Sequence, residues 1–363
     1  MAYERLAALD PQNMHYHMAL ARIYIILVDR ESARQELALL KEYYPEITEN
    51  DISGAVENME SASSLLQAHG RLGIGFMYDT NANQGPSSNW LSLGSFDNLF
   101  ISDIKEEKSA GSYVSAILDT GYRLHQQSPW WLVADMAAYR RDNFASGLHS
   151  NNHFTWSRVA MGGRYVGGNN LFDMRFKGEA GSQQHKSLDN QSFYGWGPEG
   201  TWVLSATDNF QFITRGSLER RDYHIFNGRN GQYWTVGEYL RLLLDDAGHN
   251  IMLGVRVLGS NVETHDYGYL GWETSLSFTA RLPHDLEFIP YVVFKEESYN
   301  GPATALETND RVDRQWRLGA ALMWRFAKDW SLETGYQYVD THSNSELYKY
   351  DQHIINMGIA WNF

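Results

Sequence analysis

Basic and acidic residues recur at even spacings through residues 70–363 of this chain. Arg175, Lys177 and Glu179 form one run; Arg215 with Glu219, Arg241, Glu273 with Arg281, Arg317 with Arg325, and Glu333 extend the set. On a β-strand, residues two apart share a face. These side chains would therefore project together, making a surface of mixed charge. Two roles fit it: a salt-bridge network that braces a wall, and a polar conduit or docking surface for a translocating chain. Catalysis is poorly served. A hydrolase needs a nucleophile, a base and an orienting group within hydrogen-bond reach. No serine carries a recognisable motif, and most histidines (His125, His149, His185, His249, His265, His284, His342) fall in turns or loops. Asp79, Asp97, Asp103, Glu106 and Glu107 are clustered carboxylates, but their spacing matches no calcium loop. His15 and His17 are two apart on a helical stretch and point to different faces. The expectation is thus no enzyme, no metal and no cofactor.

The elements that would hold the charged surface are tracts of alternating residues, about fourteen of them between Gly70 and Phe363. In Tyr113–Leu124 the apolar set is Val114, Ala116, Leu118, Tyr122 and Leu124, against Ser115, Asp119 and Arg123. In Leu171–Gly181 it is Phe172, Met174, Phe176 and Ala180, against Asp173, Arg175, Lys177 and Glu179. Leu270, Trp272, Leu276, Phe278 and Leu282 alternate with Tyr269, Glu273, Ser275, Ser277 and Arg281, and Trp316 through Phe326 alternates with Arg317 and Arg325. Tracts of this length suit a tilted membrane strand of about 9 to 11 residues plus overhang.

Connections alternate by length. Residues 126–128, 166–170, 206–208, 245–249, 283–285 and 327–329 read as tight turns. Polar loops lie near 80–110, 141–151, 181–191, 221–231, 261–266, 296–311 and 340–350. Bacterial membrane barrels have an even strand number, short periplasmic turns and longer extracellular loops. The chain also ends on alternating apolar residues and an aromatic. Trp361 and Phe363 are thereby the expected assembly signal, read by the barrel assembly machinery. Two places fit less well: Glu238 falls on the lipid-facing set of Tyr233–Leu244, and residues 152–165 show no clean face.

Composition agrees. No stretch approaches the roughly eighteen apolar residues of a membrane helix. The mean hydropathy of -0.46 suits a barrel in which one residue in two meets lipid. The net charge of -14 argues against nucleic acid as a partner. The absence of cysteine is compatible with a periplasm-facing protein without requiring one. Residues 1–69 have helical periodicity, and Pro11 and Pro45 lie one tetratricopeptide (TPR) period apart. Leu20, Ala21, Tyr24, Ala33, Leu37 and Pro45 fall on that motif, while His17 stands in place of its Trp and Leu40 in place of its Ala. Tyr3 and Pro11 fit the tail of a preceding repeat, and 48–69 reads as a capping helix. Met1–Arg5 has no signal-peptide pattern, so further sequence is expected upstream.

The junction Arg71–Asn83, a strand ending in Tyr78-Asp79-Thr80-Asn81-Ala82-Asn83, resembles the surface lipoprotein assembly modulators, the Slam family. A TPR segment leading into a fourteen-stranded barrel resembles that family over nearly the whole chain. The resemblance implies a non-enzymatic translocator that exports or displays a secreted or lipid-anchored protein client. A porin or polysaccharide conduit is the alternative. The expected fold is mainly β: a fourteen-stranded antiparallel transmembrane barrel over 70–363, surrounded by outer-membrane lipid. A small, truncated, TPR-like helical segment over 1–69 would lie in the periplasm.

Overall fold

The computed structural model describes residues 65–82, 84, 86–88, 90–93, 96–100, 106–125, 128–144, 153–184, 192–225, 227–245 and 247–363, with His17, Leu20, Gln35, Glu36 and Leu39 ahead of them. By backbone contacts the chain divides into two units, Met1–Gln67 with Gly121–Ser128, and Ala68–Thr120 with Pro129–Phe363. In the first unit all five described residues before position 65 are helical. His17 Nδ1 meets Glu36 Oε2 at 2.6 Å, with both side chains largely withdrawn from solvent. The remaining positions of the TPR-like reading, and the capping helix up to residue 64, lie outside the described residues; its expected end, Leu66–His69, is instead the start of a β-strand, because the barrel strand overruns its apolar core.

Among the described residues sixteen strands follow. They are β1 (Leu66–Asp79), β2 (Trp90–Leu93), β3 (Phe96–Phe100), β4 (Ser109–Arg123), β5 (Trp130–Asn143), β6 (His153–Gly167), β7 (Asn170–Gln184) and β8 (Phe193–Thr207). Then come β9 (Phe210–Tyr223), β10 (Gly231–Leu243), β11 (Asn250–Val262), β12 (Tyr269–Leu282), β13 (Leu286–Tyr299), β14 (Val312–Ala327), β15 (Trp330–Ser343) and β16 (Tyr350–Asn362). Fourteen of them close into one barrel, in the order β1-β16-β15-β14-β13-β12-β11-β10-β9-β8-β7-β6-β5-β4. The two short ones, β2 and β3, pair only with each other, as a hairpin inside the loop between β1 and β4. That hairpin is absent from the sequence reading, because its apolar run has no partner tract of barrel length.

Closure occurs between the first and last strands. β1 and β16 run antiparallel with Arg71 opposite Asn362, Gly75 opposite Gly358 and Asp79 opposite Ile354. Gly70 and Phe363 exchange both backbone hydrogen bonds, at 2.7 and 2.9 Å. The Tyr113 ring of β4 covers Gly75 and Gly358, occupying the space that side chains there would need. An aromatic laid over glycines in this way restores packing that the glycines lack. Both termini of the barrel thus lie at the end that carries the tight turns, such as Gly168–Asn169, Asp208–Asn209 and Lys328–Asp329. In the turn at 283–285, His284 and Asp285 adopt φ of 64° and 56°, the left-handed pair that a twisted two-strand turn requires.

The faces are inverted relative to a soluble fold. Leu72, Ile74, Phe76, Met174, Phe176, Val255, Leu318 and Met357 stand exposed on the outer surface. Among the described residues, buried side chains are mostly polar, with Asp79, Asn81, Lys177, Glu219 and Ser331 among them. Trp130, Trp202, Trp324, Trp330 and Trp361 ring the turn end, and Tyr78, Tyr194, Trp196, Trp272 and Trp316 ring the loop end, all exposed. Two aromatic girdles flanking an apolar belt form an exterior suited to hydrocarbon.

Both irregular places have physical answers. Glu238 keeps its outward register, opposite Thr214 and Val255. The Thr214 hydroxyl donates to the two carboxylate oxygens at 3.0 and 2.9 Å, which meets part of the carboxylate's hydrogen-bonding need. In β6, Phe154, Trp156, Arg158 and Arg164 turn inward and Val159 and Met161 outward. Inward aromatics together with Ala160, Gly162 and Gly163 mask the alternation.

The closing seam yields a direct test. Gly358→Val should displace Tyr113 and weaken closure, and Phe363→Ala should lower the yield of inserted barrel. Gel mobility with and without heating measures both; an unchanged fraction of the compact, unheated form in either variant would contradict the assignment.

Candidate functional site: the charged lumen

The charged positions singled out in the sequence lie on the inward parity of their strands, and the strand registers decide which of them meet. Arg175 is the centre of one network. Its Nε donates to Asp173 at 2.8 Å, and its Nη1 meets Asp119 at 3.3 Å and also Asp135. Asp173 accepts a second guanidinium, from Arg164 at 2.7 Å. Arg158 joins Asp135 at 3.4 Å and Glu199 directly. One step toward the loop end, Lys177 donates to Glu219 at 2.6 Å and lies 3.4 Å from Glu179. Arg221 binds the same two carboxylates at 2.6 and 3.2 Å. On the opposite arc, Glu273 is bridged by Arg256 at 3.0 Å and by Arg317, and Glu333 is paired with Arg71.

Not all of the set is brought together. Arg281 stands 3.7 Å from Glu287 and is largely exposed. Arg215 packs over the Tyr239 ring at 5.3 Å. Among the described residues no ion pair engages Arg215, Arg241 or Arg325. These four arginines lie toward the turn end, since Arg241 pairs with Gln211 and Arg325 N reaches Asp285 O across the adjoining turn. Arg215, Arg281 and Arg325 are solvent-exposed although they face inward. The lumen is therefore reached by water at that end, where Arg215, Arg241 and Arg325 stand outside any ion pair among the described residues.

At the loop end the wall changes character. Asp79 is 2% exposed and accepts hydrogen bonds from Asn81 N at 2.9 Å and from Gln352 Nε2 at 2.8 Å. Gln352 Nε2 also approaches Asn81 O at 3.0 Å. The junction motif is thus a buried latch. It ties the start of the long loop to β16, and Ser87 N extends the tie to Lys349 O at 3.1 Å. Asp79 is committed to this latch. Among the described residues, no cluster of His, Asp or Glu has metal-binding geometry. Beside the latch lies a cavity of about 770 Å³ lined by tyrosines and by Lys295, Glu297, Arg311 and Asp313. Sequence reasoning missed it. The available signal was a tyrosine at or near the loop end of β9, β10, β12, β13 and β16, at Tyr223, Tyr233, Tyr269, Tyr299 and Tyr350.

No protein-family description matches this chain, and no curated protein matches it. Among solved structures, the P. putida toluene transporter TodX aligns at 9% identity over 81% of this chain and 89% of its own, with a TM-score of 0.45. OmpT of Vibrio cholerae, an outer membrane protein solved with a loop deleted, aligns at 11% over 82% and 99%, with a TM-score of 0.44. A Pseudomonas aeruginosa FadL homologue aligns at 7% over 81% and 90%, with a TM-score of 0.46.

Removing one partner of a well-desolvated ion pair strands the other, at a cost of about 3 to 5 kcal/mol. Arg175 holds three carboxylates together, so Arg175→Met should destabilise the barrel by about 3 kcal/mol, whereas Arg325→Met should change stability by less than about 0.5 kcal/mol. Urea titration of the protein in detergent micelles compares them; equal midpoints would show that the Arg175 network does not brace the wall.

Proposed function

We propose that this chain is an outer-membrane transport barrel whose lumen conducts polar solutes. The observation that carries this reading is a water-reached, charged interior inside an apolar exterior. Barrels of eight strands are filled by their own side chains, while those of sixteen to eighteen leave an aqueous channel. Fourteen strands, with charges held against the wall by partners on the same strand or up to three strands away, leave room along the axis. An inward guanidinium that remains exposed is hydrated, and a file of hydrated groups is a path for polar solutes. The arginines that stand outside any ion pair among the described residues at the turn end favour anions there. The tight turns and both barrel ends would face the periplasm and the long loops the exterior.

A second reading has one observation in its favour. The helical residues around His17 and Glu36, joined by a largely buried hydrogen bond, fit a helix pair ahead of the barrel. Helical repeats serve as protein-binding surfaces. In that reading the barrel, inserted with the barrel assembly machinery, exports or displays a secreted or lipid-anchored client, as the Slam resemblance implies.

Reconstitution in planar bilayers separates the two readings. The solute conduit should give stepwise conductance without any client. Glu273→Gln, by freeing Arg256 and Arg317, should shift the reversal potential toward anion preference. A barrel that passes no ions until a client is supplied, and then transfers that client, would replace the first reading with the second.

A further inference from the structure

The cavity at the loop end of the lumen has a lining unlike the rest of the barrel. Of its fifteen lining residues seven are tyrosine, and none is Leu, Ile, Val, Met, Phe or Trp. The outer surface, by contrast, is rich in Trp and Leu. Five of the tyrosines sit on strands. The other two, Tyr267 and Tyr348, sit in the single-turn helices His265–Tyr267 and Glu346–Tyr348 of neighbouring loops. Tyrosine offers a flat apolar ring face and a hydroxyl that both donates and accepts.

Four of the five charges in this lining pair off: Lys295 with Glu297 at 2.9 Å and Arg311 with Asp313 at 3.2 Å. The fifth, Arg229, lies over the Tyr267 ring at 5.4 Å, so the excess is a single cation at the edge of two ion pairs. Arg311 is clamped between the Tyr299 and Tyr348 rings, 3.6 and 3.9 Å from their centroids, which fixes both loops at the rim. Arg311 Nε is taken up by the ion pair with Asp313 Oδ2, while Asp313 Oδ1 is shielded and has no hydrogen-bond partner, an acceptor left open. A hydrocarbon would leave that acceptor unsatisfied, and a free ion would meet mostly charges that are already paired.

We propose that this cavity binds a neutral oligosaccharide. The C–H faces of the sugar rings would stack on tyrosines such as Tyr267 and Tyr348. Its hydroxyls would hydrogen-bond to Glu297, Asp313, Arg311 and Gln315. A volume of about 770 Å³ lies within the usual range for small-ligand sites and holds a few sugar units. The site's part in transport rests on the solute-conduit reading; its occupancy does not.

The probe is maltohexaose, with the full chain purified in an amine-oxide detergent so that no sugar headgroup competes. Binding is read by calorimetry and, separately, by block of the bilayer current. Saturable maltohexaose binding is expected, weakened about tenfold by Tyr348→Ala and by Glu297→Gln. Tyr269→Phe, which keeps the ring, should weaken it less than Tyr348→Ala, with heat-modifiability unchanged in all three variants. Binding without conductance would uphold the site and refute the conduit. Conductance with no maltohexaose binding would overturn the site and leave the conduit standing. Preference for hexagalacturonate over maltohexaose would overturn the neutral-ligand assignment.

Discussion

In hydrocarbon no water is available to the peptide groups, so every N–H and C=O of a membrane sheet must find a partner within the sheet. The pairing of Gly70 with Phe363, and of Arg71 through Asp79 with Asn362 through Ile354, meets that demand by removing both free edges. Most other features follow from it. Closure with antiparallel neighbours requires an even number of strands and puts the first and last on the same end. Alternation then assigns one residue in two to each side of the wall. The glycine-rich seam beneath Tyr113 lets the first and last strands approach closely enough to complete the ladder.

Closure also creates an electrostatic constraint. Charged groups turned into a narrow lumen lose part of their hydration, a cost met only by close partners with good geometry. Where the wall is most enclosed, Arg175, Lys177 and Arg221 each hold at least two carboxylates, and Lys177 and Glu219 are among the buried residues. Where pairing thins out, at Arg215 and Arg325 and at the loosely paired Arg281, the side chains reach water instead. The lumen thus grades from a hydrated turn end with exposed arginines, through a braced middle, to a tyrosine cavity at the loop end beside the Arg311 clamp and the Asp79 latch. The gradient is built from wall residues through the middle and from wall and loop residues together at the loop end.

Much of the barrel was legible because its signal is local. Period-two alternation and the short–long rhythm of the connections located all fourteen barrel strands and put Arg175, Glu273, Arg317 and Glu333 on the inner face. The first strand opens at Leu66, a few residues ahead of the boundary drawn at Gly70, because strands overrun their apolar core. Partnerships were not legible, since they depend on register between strands. Lys177 meets Glu219 42 positions away, and Asp79 meets Gln352 273 positions away. Nothing in either neighbourhood names the other. The tyrosine cavity escaped for the same reason: its residues are single strand-end tyrosines that converge only when the barrel closes. Glu238 broke the local rule and was tolerated, because Thr214 on the adjacent strand supplies its hydrogen bonds.

The central claim is a closed wall with hydrocarbon on one side and water on the other. The chain has no cysteine, so single cysteines can be read without background. Consecutive β12 positions alternate between the two sides, with Ser275 and Ser277 inward and Leu276 outward. In proteoliposomes, Ser275→Cys and Ser277→Cys should react with a small water-soluble maleimide, while Leu276→Cys should react only after detergent is added. Equal labelling of all three before detergent, or labelling of Leu276→Cys alone, would contradict a membrane-spanning barrel with an aqueous lumen.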